Sequence, residues 1–128
     1  MVKVYNPGSP EPINRAVLLR RDGAAPLKFN GVKIGSASRS YSYYNNETNQ
    51  HEISEISARL FQTAGGKFIA GIEDYNRTTS QYDSRIALKA DSLAELVEAI
   101  KPKLNNDDLL AELFESTEIA DSLAETVE

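Results

Sequence analysis

The chain has a single histidine, His51, and no cysteine. Thiolate nucleophiles, thiolate metal sites and disulfides are therefore excluded at the outset. His51 has the side chain for general acid–base work, but no G-x-S-x-G element accompanies it. Beside a polar loop, a solvated surface histidine is the plainer reading. A metal would have to be held largely by carboxylates, and the acidic residues lack the spacing of an EF-hand loop. Ala64-Gly65-Gly66-Lys67 has the glycines and the lysine of a phosphate loop. The full pattern, G-x-x-x-x-G-K-[ST] between a strand and a helix, is missing, and a tight hairpin turn accounts for these residues better. The expectation is a protein that is not an enzyme and uses no cofactor and no metal.

Binding chemistry has more material. Basic residues are scattered through the first ninety positions, and tyrosines lie near one of them. Arg39, Tyr41 and Tyr43 alternate on one face of an expected strand, and Arg20, Lys33, Arg59 and Lys67 add charge. Basic side chains interleaved with aromatics on a sheet can hold a single-stranded nucleic acid by phosphate pairing and base stacking. No RNP-like motif appears, so this stands as the alternative function. The leading candidate is protein contact through the C-terminal segment. There Leu109, Leu113, Phe114, Ile119, Leu123 and Val127, with Glu112 beside them, supply apolar anchors in an acidic setting. The same stripe could pair with a second copy of the chain.

The charge is divided along the sequence. Residues 1–90 hold twelve basic and eight acidic residues, a balance of +4, whereas residues 91–128 have a balance of −9 and no basic residue after Lys103. Such asymmetry marks an acidic interaction segment or an internal complement to a basic face. With 128 residues and a net charge of −5, the size and acidity are those of many inhibitors, immunity proteins and accessory proteins of mobile elements. That is an analogy of composition alone. No apolar run approaches the length of a membrane span or a signal peptide, so no membrane partner is expected and the cytoplasm is the expected compartment.

The elements that must position these residues follow from hydrophobic period. Three prolines and a glycine in residues 6–12 make an extended lead-in over 1–14. Alternation then predicts strands at Arg15–Arg21, Leu27–Ile34, residues 36–44, His51–Thr63, Lys67–Tyr75 and Tyr82–Lys89. Asn30-Gly31 is expected to form a turn or bulge, and Gly65-Gly66 a hairpin. Along the strand ending at Thr63, Ile56, Ala58 and Leu60 are expected to face inward, and Ser57, Arg59 and Phe61 outward. From Asp91 the period becomes 3.6: Leu93, Leu96, Val97 and Ile100 define one face of a helix over 91–101. Ser92 and Glu95 fit a capping box, and Pro102 is the stop.

Residues 90–98 read ADSLAELVE, residues 120–128 read ADSLAETVE, and residues 108–115 read DLLAELFE. Convergence of short helices on good helix formers explains these copies more simply than duplication. Leu109, Leu113, Ser116, Ala120, Leu123 and Val127 fall at heptad spacings, compatible with one long helix over 107–127 or two short ones. The fold expected is α+β: an antiparallel β-meander of about five or six strands followed by two or three C-terminal helices packed on one face. Residues 1–104 form the core domain and residues 105–128 an acidic helical segment of that domain.

Overall fold

The computed structural model describes residues 14–104 and 106–120. The lead-in and the last copy of the repeated pattern lie outside the described residues. Five strands are followed by two helices: β1 Arg15–Leu19, β2 Leu27–Asn45, β3 Gln50–Thr63, β4 Phe68–Asn76, β5 Gln81–Ala90, α1 Leu93–Ile100 and α2 Asp107–Leu113. The strands form one antiparallel sheet in the order β1-β2-β3-β4-β5. The α+β reading therefore holds, with five strands.

Two expected strands and the expected turn at Asn30-Gly31 are replaced by the single 19-residue strand β2. The irregularity in this strand lies between Lys33 and Gly35, where the register against β3 shifts. An extra residue in one strand of an antiparallel pair reverses the side-chain phase beyond it. Val32 and Ile34 pack on the main core before the shift, and Ala37 joins the same core after it. Period-2 reading across the whole segment fails for this reason.

The main core joins sheet residues such as Ile34, Ala58, Leu60, Ala70 and Ile72 to Leu93, Leu96, Val97 and Ile100 of α1 and Leu109, Leu110 and Leu113 of α2. Ile56, Ala58 and Leu60 share a face as the alternation predicts. Phe61 points to the opposite face but is not exposed. With Leu19 and Ile69 it forms a second, smaller core, against which Val17, Leu27 and Phe29 pack. The sheet curls to build it. Leu19 approaches Gly71 of β4, where an added Cβ would lie 3.3 Å from two Leu19 methyls. The turn after β1 reaches β5: Asp22 N donates to the Arg85 carbonyl at 2.9 Å, and Arg85 N donates to Asp22 Oδ2 at 2.9 Å.

Ser92 caps α1 as expected, its Oγ accepting from Glu95 N at 3.2 Å, but the return bond of the capping box comes from one residue earlier, Asp91 N donating to Glu95 Oε2 at 3.3 Å. Asn106 caps α2 by accepting from Leu109 N at 3.0 Å. A single helix over 107–127 does not occur, because α2 ends at Leu113 with Phe114 as its cap. Its last carbonyl meets β2: a Cβ added to Gly35 would lie 2.1 Å from the Leu113 carbonyl oxygen. Only glycine permits that approach. Gly35→Ala is expected to push α2 off the sheet and to destabilise the domain by about 2 kcal/mol, the cost of an overpacked core. A urea titration of the two chains would show the difference as a lower midpoint.

Candidate functional site

The apolar stripe of the C-terminal segment is used inside the domain. Leu109, Leu113 and Phe114 are fully buried, within the cluster that holds the sheet to both helices. Ile119 packs against the same cluster, and Leu123 and Val127 lie outside the described residues. This corrects the expectation that Leu109, Leu113 and Phe114 face a partner. Burial of such a side chain contributes about 2 kcal/mol. Three of them contribute about 6 kcal/mol, comparable with the whole stability of a small domain, so α2 is not free to leave its sheet. What the helices leave to solvent is charge: Glu95, Glu98, Asp107, Asp108 and Glu115 are exposed.

The basic residues do not form one surface. Arg39, Tyr41 and Tyr43 share a face of β2, opposite Ile56, Ser54 and Glu52 of β3. Lys33 and Arg59 lie on the other face, paired in register with Phe61 and Ser36. Arg20 follows β1 and is exposed. Three of the five basic residues are held by carboxylates: Arg39 by Glu112 at 2.7 Å, Arg59 by Glu73 at 2.6 Å and Lys67 by Asp91 at 2.7 Å. Two of these acids, Asp91 and Glu112, come from the acidic C-terminal part. The charge division along the chain is thus partly an internal complement. Each exposed pair contributes little to stability, yet each lowers the positive potential that a phosphate backbone would need.

Beyond the reach of the helices, the sheet carries a polar cluster that the sequence reading missed. Glu52 is 1% exposed and Asn76 4%. Asn45 Nδ2 donates to Glu52 Oε2. Asn76 Nδ2 lies 3.3 Å from Glu52 Oε1 and 3.2 Å from Tyr43 Oη. The turn after β4 is tied to β3 beside it: Arg77 N donates to the Ile53 carbonyl at 2.8 Å, and Ile53 N to Thr78 Oγ1 at 2.9 Å. Tyr41 Oη donates to Asp74 Oδ2 at 2.9 Å. Burial holds the Tyr41 phenol above its ordinary pKa, and the hydrogen bond to Asp74 and the charge of that carboxylate raise it further. The signal for Glu52 was present in the sequence. Extending the Ile56-Ala58-Leu60 alternation backwards places Ser54 and Glu52 on the inward face.

This cluster fixes a tyrosine-rich end of the sheet. Tyr41 is 42% exposed, Tyr44 49%, Ile53 47% and Tyr82 48%. Tyr44 meets His51 edge-on at 5.3 Å, and Tyr75 meets Tyr82 at 5.0 Å. His51 is exposed, as a solvated surface histidine would be, with this aromatic contact in addition.

The same end has an open strand edge. β1 pairs with β2 only from Leu27 to Gly31. From Val32 to Asn45 no described strand lies on the outer side of β2. In an antiparallel ladder alternate residues turn their N–H and C=O away from the paired strand, so half of residues 36–45 direct these groups outward. Proteins usually blunt such edges with prolines, bulges or charges. Residues 36–45 contain no proline and one charge, Arg39, and the register shift precedes them. The contrast with β5 is direct, because there Asp22 occupies both backbone groups of Arg85. Alongside β2, Lys33, Ser36, Ser38, Arg59, Tyr82 and Glu112 line an open depression of about 570 Å³. It is polar and wide rather than the enclosed apolar cleft usual for a small molecule.

No protein-family model, no curated protein and no solved structure matches the chain.

Two outcomes follow from the cluster. Glu52→Ala takes the partner from the half-buried Asn45 amide and leaves the Asn76 amide with Tyr43 Oη alone, and is expected to destabilise the domain by about 2 kcal/mol, read as a lower midpoint in urea. Asp74→Asn removes the charge and weakens the hydrogen bond that favours neutral Tyr41. The Tyr41 ionisation midpoint should then fall towards the ordinary phenol value of 10.0. Ultraviolet titration of each chain, with its Tyr41→Phe counterpart subtracted, isolates that group.

Proposed function

We propose that this protein is a small, non-enzymatic protein-binding module that takes up an extended segment of a partner along β2. The observation that carries the reading is the outer side of residues 36–45, which no strand among the described residues pairs, flanked by exposed tyrosines and lacking the usual edge protection. Strand addition of this kind draws affinity from main-chain hydrogen bonds and specificity from alternate side chains. Tyrosine and serine suit such a surface. Tyrosine offers a large amphipathic contact with little rotamer entropy to lose, and serine adapts its hydrogen bonds. The buried Glu52 cluster holds the tyrosines in place beforehand, which lowers the ordering cost of association.

The acidic helices have a supporting role in this proposal. Their exposed carboxylates speed encounter with a basic partner, an effect that weakens with salt. Inhibition of a basic enzyme, or immunity against one, is a use that fits such a module in a cytoplasmic setting. Among the described residues no helix is long and apolar enough to cross a membrane.

The test is affinity capture from the native source with three chains: wild type, Ser42→Lys, and Asp107→Lys combined with Asp108→Lys. Ser42 is exposed on the open edge. Loss of the captured partner by tenfold or more in Ser42→Lys, with the helix variant still binding, is the expected result. The reverse pattern would move the binding surface to the helices and overturn the edge reading. Retention of the wild-type chain on single-stranded DNA above about 200 mM salt would replace protein contact by the nucleic-acid alternative. Arg39, Tyr41 and Tyr43 would then be the first residues to mutate.

A further inference from the structure

Among segments that the open edge of β2 could accept, one is supplied by the molecule itself. We propose that β2 pairs with β2 of a second copy, antiparallel and about a two-fold axis at Ser40, making one continuous sheet across the dimer. This rests on the edge reading above and names its occupant.

The argument is self-complementarity. A two-fold axis perpendicular to the sheet keeps equivalent faces together, so residues of the same parity oppose each other. An axis at Arg39 would set two guanidinium groups against each other, which is unfavourable. An axis at Ser40 avoids this. It places Ser36 opposite Tyr44 of the second copy, Ala37 opposite Tyr43, Ser38 opposite Ser42, and Arg39 opposite Tyr41. Tyr44 and Tyr43 then meet the small Ser36 and Ala37, and two serines meet at Ser38 and Ser42. Residues 36–44, at about 3.3 Å each, give close to 30 Å of shared edge.

Charge agrees with this register. Arg39 is the one charged residue in 36–45, and opposite Tyr41 it approaches the carboxylate of Asp74, which accepts from Tyr41 Oη at 2.9 Å. Its present partner, Glu112, lies in an exposed pair of the kind that rearranges at little cost. The β1–β2 hairpin ends its pairing at Gly31, and among the described residues no strand covers the stretch beyond it. The helices pack into the main core, and Glu112 of α2 reaches this stretch through Arg39.

Light scattering of the full chain is expected to give twice the chain mass of 14.1 kDa. Ser40→Lys places like charges opposite each other and should return the mass to that of one chain. Ser40→Glu should do the same. An equimolar mixture of the two variants should restore the dimer, because each lysine then faces a glutamate. The chain has no cysteine, so oxidation of Ser40→Cys should give a covalent dimer, and Thr79→Cys, exposed on the β4–β5 turn, should not. A monomeric wild-type chain overturns the pairing. So does a dimer that survives in both charged variants, or a mixture that fails to reassociate. If a dimer forms only after residues 1–13 are deleted, the chain's own N-terminal segment governs the edge and the second copy is not the occupant. None of these results touches capture of a different partner on β2, which the Ser42→Lys comparison decides separately.

Discussion

The register shift between Lys33 and Gly35 is the constraint on which the rest of the molecule depends. It lets one strand serve two purposes. Val32 and Ile34 are directed into the main core before it, and Ala37 after it. It also decides the phase of everything beyond. Arg39, Tyr41 and Tyr43 fall on the face of the main core, while the intervening serines and Tyr44 fall on the face of the smaller one. With the opposite phase, Glu112 would lose Arg39 and Asp74 would lose Tyr41. Gly35, immediately after the shift, admits the end of α2 against the backbone. The shift therefore also sets where the C-terminal segment docks.

Elements governed by local periodicity were legible from the sequence. The Gly65-Gly66 hairpin, the strand ending at Thr63 and the helix led by Ser92 and Glu95 each carry their signal within about a dozen residues. The long strand was not legible. A bulge leaves no composition mark, and Asn30-Gly31 imitates a turn. The role of Leu109, Leu113 and Phe114 was open for a different reason. A helical stripe shows that a surface must be covered, and it does not show by what. The covering surface is formed mainly by β2 and β3, from residues some fifty to eighty positions away, which periodicity does not reach.

The candidate site was legible in part. Arg39, Tyr41 and Tyr43 do share a face, as alternation requires. Their carboxylate partners, Glu112 and Asp74, come from distant elements and could not be paired from sequence. The open edge was invisible for the same reason, since a strand becomes an edge only through what its neighbours leave unpaired. The charge division was visible, and its meaning changed. Part of the acidic segment neutralises Arg39 and Lys67, and the remainder stays in solvent.

The bond between Asp22 and Arg85 joins positions 63 residues apart, and this bears on the order in which the chain assembles. The β2–β3 hairpin closes over a turn of four residues, and β4 and β5 add beside it in sequence. Contacts across short loops form early, whereas a closure of that length carries a larger entropic penalty and comes late. Until Asp22 reaches β5, the smaller core around Leu19, Phe61 and Ile69 lacks the closure that holds the β1 turn over it. The nascent domain therefore passes through a stage that is more adhesive than the finished one. Its yield on refolding is then tied to how quickly the turn after β1 reaches β5.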